Sequence, residues 1–150
     1  MRIVIQRVNC ASVSVDGQTI SSIEKGMLIL VGIAEGDTAD DVEWLANKTV
    51  SLRIFDDANG VMNLSVSEVK GRILAISQFT LNASTRKGNR PSYIRAARPE
   101  MARPLYDLYC QKLGELTGCP AEKGVFGADM KVALVNDGPV TIIIDSKLRE

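Results

Sequence analysis

The stretch Val132-Ala-Leu-Val-Asn-Asp-Gly-Pro-Val-Thr-Ile-Ile-Ile-Asp145 constrains this chain more than any other. Both flanks are apolar and rich in β-branched residues, as half-buried or buried strands require. Between them, Asn136-Asp137-Gly138-Pro139 gathers the strongest turn formers. Pro139 has a fixed φ and no N–H, so it cannot serve as a central ladder residue. Gly138 has no side chain, so another molecule can approach its backbone closely. The pair therefore presents bare carbonyl oxygens on a stiff support. An X–Pro bond can also be cis, which would turn both carbonyls the same way. Two readings stand side by side: a hairpin turn between two strands, or a backbone surface displayed to a ligand.

A chain of 150 residues is a single-domain length, and one domain is expected over residues 1–150. Its apolar fraction of 45% supports a sizeable core. No run approaches the roughly 18 apolar residues of a membrane span. The opening Met1-Arg-Ile-Val-Ile-Gln-Arg7 is a strand pattern carrying charges, not a signal peptide. Cys10, Cys110 and Cys119 cannot all pair within one chain, and their spacing fits no zinc or redox motif. Reduced thiols, a cytoplasmic location and no membrane contact are the expectation. The chain has no histidine. That removes Ser-His and Cys-His nucleophile pairs and every His-ligated metal site. No metal and no cofactor are expected. Catalysis must then rest on hydroxyls, carboxylates, Lys or Arg, backbone dipoles or the substrate's own groups.

Taken in order, residues 2–8 read as a buried strand. Ser12–Val15, Asp16-Gly17 and Gln18–Ile20 read as a hairpin with an Asp-Gly turn. Met27–Ile33 is apolar on both faces and so should be central in a sheet. Thr38 looks like a helix N-cap before an acidic first turn of Asp40, Asp41 and Glu43. Val42, Leu45, Ala46 and Thr49 then recur at helical spacing. Leu52–Phe55 and Met62–Val66 read as short strands flanking a polar turn. Met101, Leu105, Leu108, Tyr109, Leu113 and Leu116 mark a second helix, with Pro104 in its first turns and Gly118 at its end.

Gly71–Leu81 begins as an apolar strand and ends in Ser77-Gln78-Phe79-Thr80-Leu81. A polar group buried without a partner costs roughly 1–3 kcal/mol. Several of them at a strand end suggest the mouth of a site; alternatively, Ser77 and Thr80 satisfy local backbone while Phe79 is core. Downstream, residues 82–103 carry Arg86, Lys87, Arg90, Arg95, Arg98 and Arg103 against Glu100 alone. Such a segment either attracts a polyanion or forms a solvated loop with scattered ion pairs.

Ser77-Gln-Phe-Thr-Leu81 and Asn136-Asp-Gly-Pro-Val-Thr141 resemble the two signature motifs of the D-aminoacyl-tRNA deacylases. The resemblance spans the chain. It includes Gln6-Arg7-Val8, Ala11–Gly17, Lys87-Gly-Asn-Arg-Pro-Ser92 and Gly124–Met130. It implies an α+β fold in β/β/α layers, with barrel-like mixed and antiparallel sheets, two main helices and a homodimer. The implied activity is hydrolysis of the ester joining a D-amino acid to the terminal adenosine of tRNA, with glycyl-tRNA a further substrate. It implies a cis Gly138-Pro139 peptide that reaches across the dimer into the partner's site. Thr80, Gln78 and Ser77 are the implied catalytic set. Gly138, Pro139, Phe79, Phe126, Met130, Ala102 and Arg7 are the implied substrate-binding set, and Arg86, Lys87 and Arg90 the tRNA contacts.

Residue chemistry says how such a site would discriminate. A rigid backbone wall that holds the α-amino group leaves the side chain of one hand in open space and drives the other into the wall. The Thr80 N–H suits a tetrahedral oxyanion. The Thr80 hydroxyl is a rival nucleophile, with no neighbouring base to activate it. The adenosine 2′-OH beside the ester offers a substrate-assisted route. Arg7 either buttresses the Gly-Pro peptide or forms a surface ion pair. Two other classes stay open: an RNA-binding module that leaves the ester intact, and a small-molecule esterase or amidase indifferent to RNA.

Overall fold

The computed structural model describes residues 1–149. Its elements run β1 (Arg2–Val15), β2 (Gln18–Ile23), β3 (Gly26–Gly32), α1 (Ala39–Ser51), β4 (Phe55–Asp56), β5 (Met62–Leu64), β6 (Arg72–Ser77), a 3-10 turn (Phe79–Asn82), α2 (Pro99–Thr117), β7 (Glu122–Lys123) and β8 (Lys131–Asp145). This is the expected α+β architecture with two helices. The main sheet runs β2-β1-β3-β6-β7, with β8 also on β1; β3–β6 and β6–β7 are parallel and the remaining pairs antiparallel. The expected Asp-Gly hairpin is present, with Asp16 and Gly17 both at positive φ, as a tight two-residue turn requires.

Two cores explain the layers. On β3, Met27, Ile29 and Val31 face the helices together with Val42, Leu45, Tyr109 and Leu113. Leu28 faces the other way, into a cluster with Val8, Ala11, Val13, Leu74 and Ile76. The period-2 alternation of a strand thus feeds one core on each side. β1 serves both cores because its pairing with β8 slips between Val8 and Cys10. A one-residue bulge exchanges the two faces of a strand. Ile3 and Ile5 therefore point toward the helices, while Ala11 and Val13 point into the second core. Ser21 Oγ donates to the Lys123 carbonyl at 2.6 Å, drawing β2 toward β7 and curling the sheet.

Helix α1 begins as its cap residues require. The Asp41 carboxylate accepts from the Thr38 amide at 2.9 Å and from the Thr38 hydroxyl at 3.2 Å. Gly118 closes α2 at φ 72°. The N-terminus is tied into this layer: the Met1 ammonium contacts Asp37 Oδ1 at 2.6 Å and donates to Ser146 Oγ at 2.9 Å, all of it buried. Among the described residues, no helix is long and apolar enough to cross a membrane.

Several sequence expectations need correction. Residues 2–8 and 12–15 belong to one strand, not two. Leu52–Phe55 contributes only Phe55 to a strand, since Leu52 is still the C-cap of α1. Met62–Val66 shortens to Met62–Leu64. The hairpin reading of Asn136–Pro139 fails: Lys131–Asp145 is one strand, and both halves pair with β1. Thr141–Asp145 lies against Arg2–Gln6, and Lys131–Val135 against Cys10–Ser14. An unbroken 14-residue partner carries both halves in one direction, and the turn-forming residues become an extruded bulge.

Candidate active site

Where the apolar run of β6 ends at Ser77, the chain turns sharply. The Gln78 amide donates to the Val31 carbonyl at 2.7 Å and anchors the start of the turn on β3. Gly32 allows this approach, for a Cβ there would meet Leu81 Cβ at 2.9 Å and the Gln78 carbonyl at 3.0 Å. Asn82, buried, donates from Nδ2 to the Ile33 carbonyl at 2.9 Å, and Arg2 Nη1 donates to the Leu81 carbonyl at 3.1 Å. The turn is thus held at both ends. The amides of Phe79 and Thr80 lie at its start, where helical N–H groups have no partner within the helix. Among the described residues they donate to no protein acceptor. The Thr80 hydroxyl oxygen accepts from Gln78 Nε2 at 2.6 Å.

This turn borders a cleft of about 510 Å³. Ser77, Gln78, Phe79, Ala102, Phe126 and Met130 all line it, six of the residues singled out in the sequence. Phe79 is 56% exposed, so it is not the core residue of the alternative reading. Tyr106 also lines the cleft and was not anticipated. Its hydroxyl donates to the Ala75 carbonyl at 2.8 Å, and its ring lies 5.8 Å from that of Phe126. Burial, reinforced by Cys110, pushes the phenol far above its ordinary value, so it remains a neutral donor. Helical spacing held the clue, since position 106 lies one turn beyond Ala102. The one carboxylate on the lining, Asp129, is engaged by Lys131 Nζ, 2.9 Å from each oxygen. Among the described residues, no group of three or more His, Cys, Asp or Glu is placed to hold a metal ion.

Gly138 and Pro139 do not line the cleft of their own chain. They are exposed, and the peptide bond joining them is cis. Residues 137–140 together stand opposite Arg7, between the Gln6–Thr141 and Val8–Asn136 pairs. Arg7 is 7% exposed. Its Nε donates to the Asp137 carbonyl at 2.8 Å, and its Nη1 donates to the Ile54 carbonyl at 2.7 Å and to Asp56 Oδ1 at 3.3 Å. This is a buried cation that holds the base of the bulge and is also ion-paired, to the half-exposed carboxylates of Asp56 and Asp137. Asn136 closes the other side: its Oδ1 accepts from the Val140 amide at 2.8 Å and its Nδ2 donates to the Val140 carbonyl at 3.2 Å. At Gly138 φ is +151°, and a Cβ there would meet the Val140 nitrogen at 2.6 Å. The segment is fixed by side chains on both flanks and open at its tip.

Arg86, Lys87 and Arg90 ride on an exposed loop closed by reciprocal Ser84–Ser92 backbone bonds of 2.8 and 2.9 Å. Among the described residues, no ion pair engages these three or Arg95, Arg98 and Arg103. The scattered ion pairs of the alternative reading are absent there, and the positive charge is available to an anion.

The chain is similar to known proteins over nearly its whole length. A family model described as D-Tyr-tRNA(Tyr) deacylase matches residues 4–145. Proteins named D-aminoacyl-tRNA deacylase from Bacteroides fragilis (strain YCH46) and Parabacteroides distasonis are 61% and 59% identical over 150 residues, the full length of each. A solved structure described as "c-Myc DNA Unwinding Element Binding Protein" matches with TM-score 0.91 at 38% identity, over 97% of this chain and 98% of that one. A second, described as "Structural Analysis of a probable eukaryotic D-amino acid tRNA deacylase", matches with TM-score 0.82 at 15% identity, over 95% and 97%, a likeness of fold alone.

Proposed function

The chain belongs to the D-Tyr-tRNA(Tyr) deacylase family, and from that membership we propose that it hydrolyses the ester of D-aminoacyl-tRNA, releasing the D-amino acid and tRNA. The observation that carries the chemistry is the turn at the cleft mouth. It offers the Thr80 amide, which has no protein acceptor among the described residues, beside a threonine hydroxyl already bonded to a side-chain amide. An amide is no proton acceptor at neutral pH whichever way it is turned. That arrangement suits stabilising a negative oxygen better than making an alkoxide. Water attacks the ester carbonyl, the carbonyl oxygen takes up charge toward the Thr80 N–H, and the 3′-oxygen of adenosine leaves. The vicinal 2′-OH takes a proton from the attacking water as its own proton passes to the leaving 3′-oxygen, so it ends as it began. Ser77 and Gln78 form the polar rim, while Phe79, Phe126, Met130 and Ala102 bound the apolar space for the adenosine base.

Chirality is read by the Gly138-Pro139 segment of a second copy of the chain. Its carbonyl oxygens hold the α-amino group. A backbone braced by Arg7 and Asn136 does not yield to a Cβ aimed at it. A glycyl ester has no Cβ and passes. Arg86, Lys87 and Arg90 contact the phosphates of tRNA, which sets the reaction in the cytoplasm, where translation uses that substrate. The test is single-turnover deacylation of matched D- and L-aminoacyl-tRNA by purified protein. D-esters should be cleaved, L-esters spared and glycyl esters cleaved. Binding without cleavage, or equal cleavage of both hands, would overturn the reading.

A further inference from the structure

Beside the cleft, two large apolar side chains face solvent with no role so far. Tyr93 is 41% exposed and Ile94 86% exposed. They do not sit on a slack loop. Ser92 is paired to Ser84, the Ala96 amide donates to the Tyr93 carbonyl at 2.9 Å, and the Ala97 amide donates to the Ile33 carbonyl at 3.0 Å. The chain is therefore fastened on both sides of the two residues that project. Two adjacent apolar side chains held in water on a fastened segment, one of them packed on the cleft wall, offer a contact surface.

Its position says what it contacts. The Tyr93 ring meets the Phe79 ring edge-on, with centroids 5.1 Å apart and an interplanar angle of 69°. Phe79 lines the cleft, so Tyr93 continues the apolar wall of the cleft outward. Arg90, Arg95 and Arg98 flank it in the sequence and are exposed; among the described residues none is in an ion pair, and Arg95 alone is tied, to the Ala83 carbonyl at 3.2 Å. An aromatic face flanked by free cations is the combination that holds single-stranded nucleic acid, bases on the ring and phosphates on the cations. Across residues 82–103 six cations stand against Glu100 alone, a surplus that suits a polyanion.

We propose that Tyr93 and Ile94 form a second base-binding subsite, outside the adenosine cleft, that takes the cytidine preceding the terminal adenosine of tRNA. The proposal rests on the deacylase reading and adds to it a recognition step for the 3′ strand. It explains why the apolar wall does not stop at Phe79.

The test compares D-aminoacyl esters of adenosine, of the dinucleotide CpA and of whole tRNA. For the wild type, kcat/KM should rise from adenosine to CpA. Tyr93→Ala with Ile94→Ser should lose between about fivefold and a hundredfold on CpA and tRNA, the scale of one stacked base, through KM and not kcat. The adenosine ester should be cleaved as before. Tyr93→Phe, which keeps the ring, should retain the CpA advantage and shows that the fold tolerates change there. An equal loss on the adenosine ester would mean that Tyr93 only supports Phe79, and would overturn the subsite. No loss on any ester would assign the patch to another protein and overturn it equally. A wild type inactive on all three D-esters would instead bring down the deacylase reading itself.

Discussion

At the scale of single residues, Thr80 separates two chemistries. Its oxygen accepts from Gln78 Nε2 at 2.6 Å, and the cleft lining offers only Asp129 as a carboxylate, already held by Lys131. A nucleophilic hydroxyl needs a base within reach, and among the described residues no carboxylate or amine is hydrogen-bonded to it. The backbone N–H needs nothing from the side chain. Thr80→Ala should therefore keep kcat within a few-fold, where loss of an oxyanion donor costs about a hundredfold or more. A substrate ending in 2′-deoxyadenosine should lose about a hundredfold or more, the range of general acid–base assistance. Rapid-quench measurement of both would decide, and the opposite pair of outcomes returns the reaction to the hydroxyl. Ser77, Gln78 and Phe79, the cleft residues on the first motif, were legible in the sequence. Tyr106 and Asn136 were not seen as site residues. Tyr106 acts through a carbonyl 31 positions away, and Asn136 reads locally as a turn former whatever it later clasps.

At the scale of elements, legibility followed how local the determining interaction is. Helix α1 could be read because its cap lies within its own first turn. β8 could not, because turn chemistry is the same for a hairpin and for a bulge, and only the length of β1 decides between them. The capping carboxylate also yields a test. Burial works to raise the Asp41 carboxyl, but hydrogen bonds from Lys147 and Thr38 outweigh burial and hold it well below the usual carboxylate range. A depressed folded pKa adds stability above the unfolded value, here 3.8, and that stability is lost as pH falls toward the folded one. Its partner Lys147 is raised, chiefly by the hydrogen bond to Asp41, so that contribution is full below 10.5 and lost in strong alkali. Asp41→Asn should therefore lower Tm at pH 7 and flatten its fall below about pH 4, where the unfolded carboxyl protonates and the wild type begins to lose this contribution. Thermal melts from pH 2 to 8 measure this, and parallel curves for the two proteins would refute it.

At the scale of the whole molecule, the lone chain looks unfinished. β8 is 15 residues long and, among the described residues, pairs only with β1, so its other edge is open. Ala133, Val135 and Ile143 are exposed along it, the last two 51% and 68%. Long apolar edges invite pairing with another chain. The exposed Gly138-Pro139 tip lies on the same strand and does not enter its own cleft. A two-fold pairing across this strand would give each cleft the tip of the other chain, since a two-fold interface exchanges equivalent parts. Complementation tests this directly. Gly138→Ala spoils the tip, because the new methyl meets the Val140 backbone, while Thr80→Pro removes the N–H of the turn that borders the cleft. Each homodimer should be inactive. After mixing and re-annealing equal amounts, about half of the dimers are mixed, and each has one intact cleft facing one intact tip. Activity should return to about a quarter of wild type, since one of the two sites works in half of the dimers. If the tip served its own chain, every site would keep one defect and the mixture would stay silent.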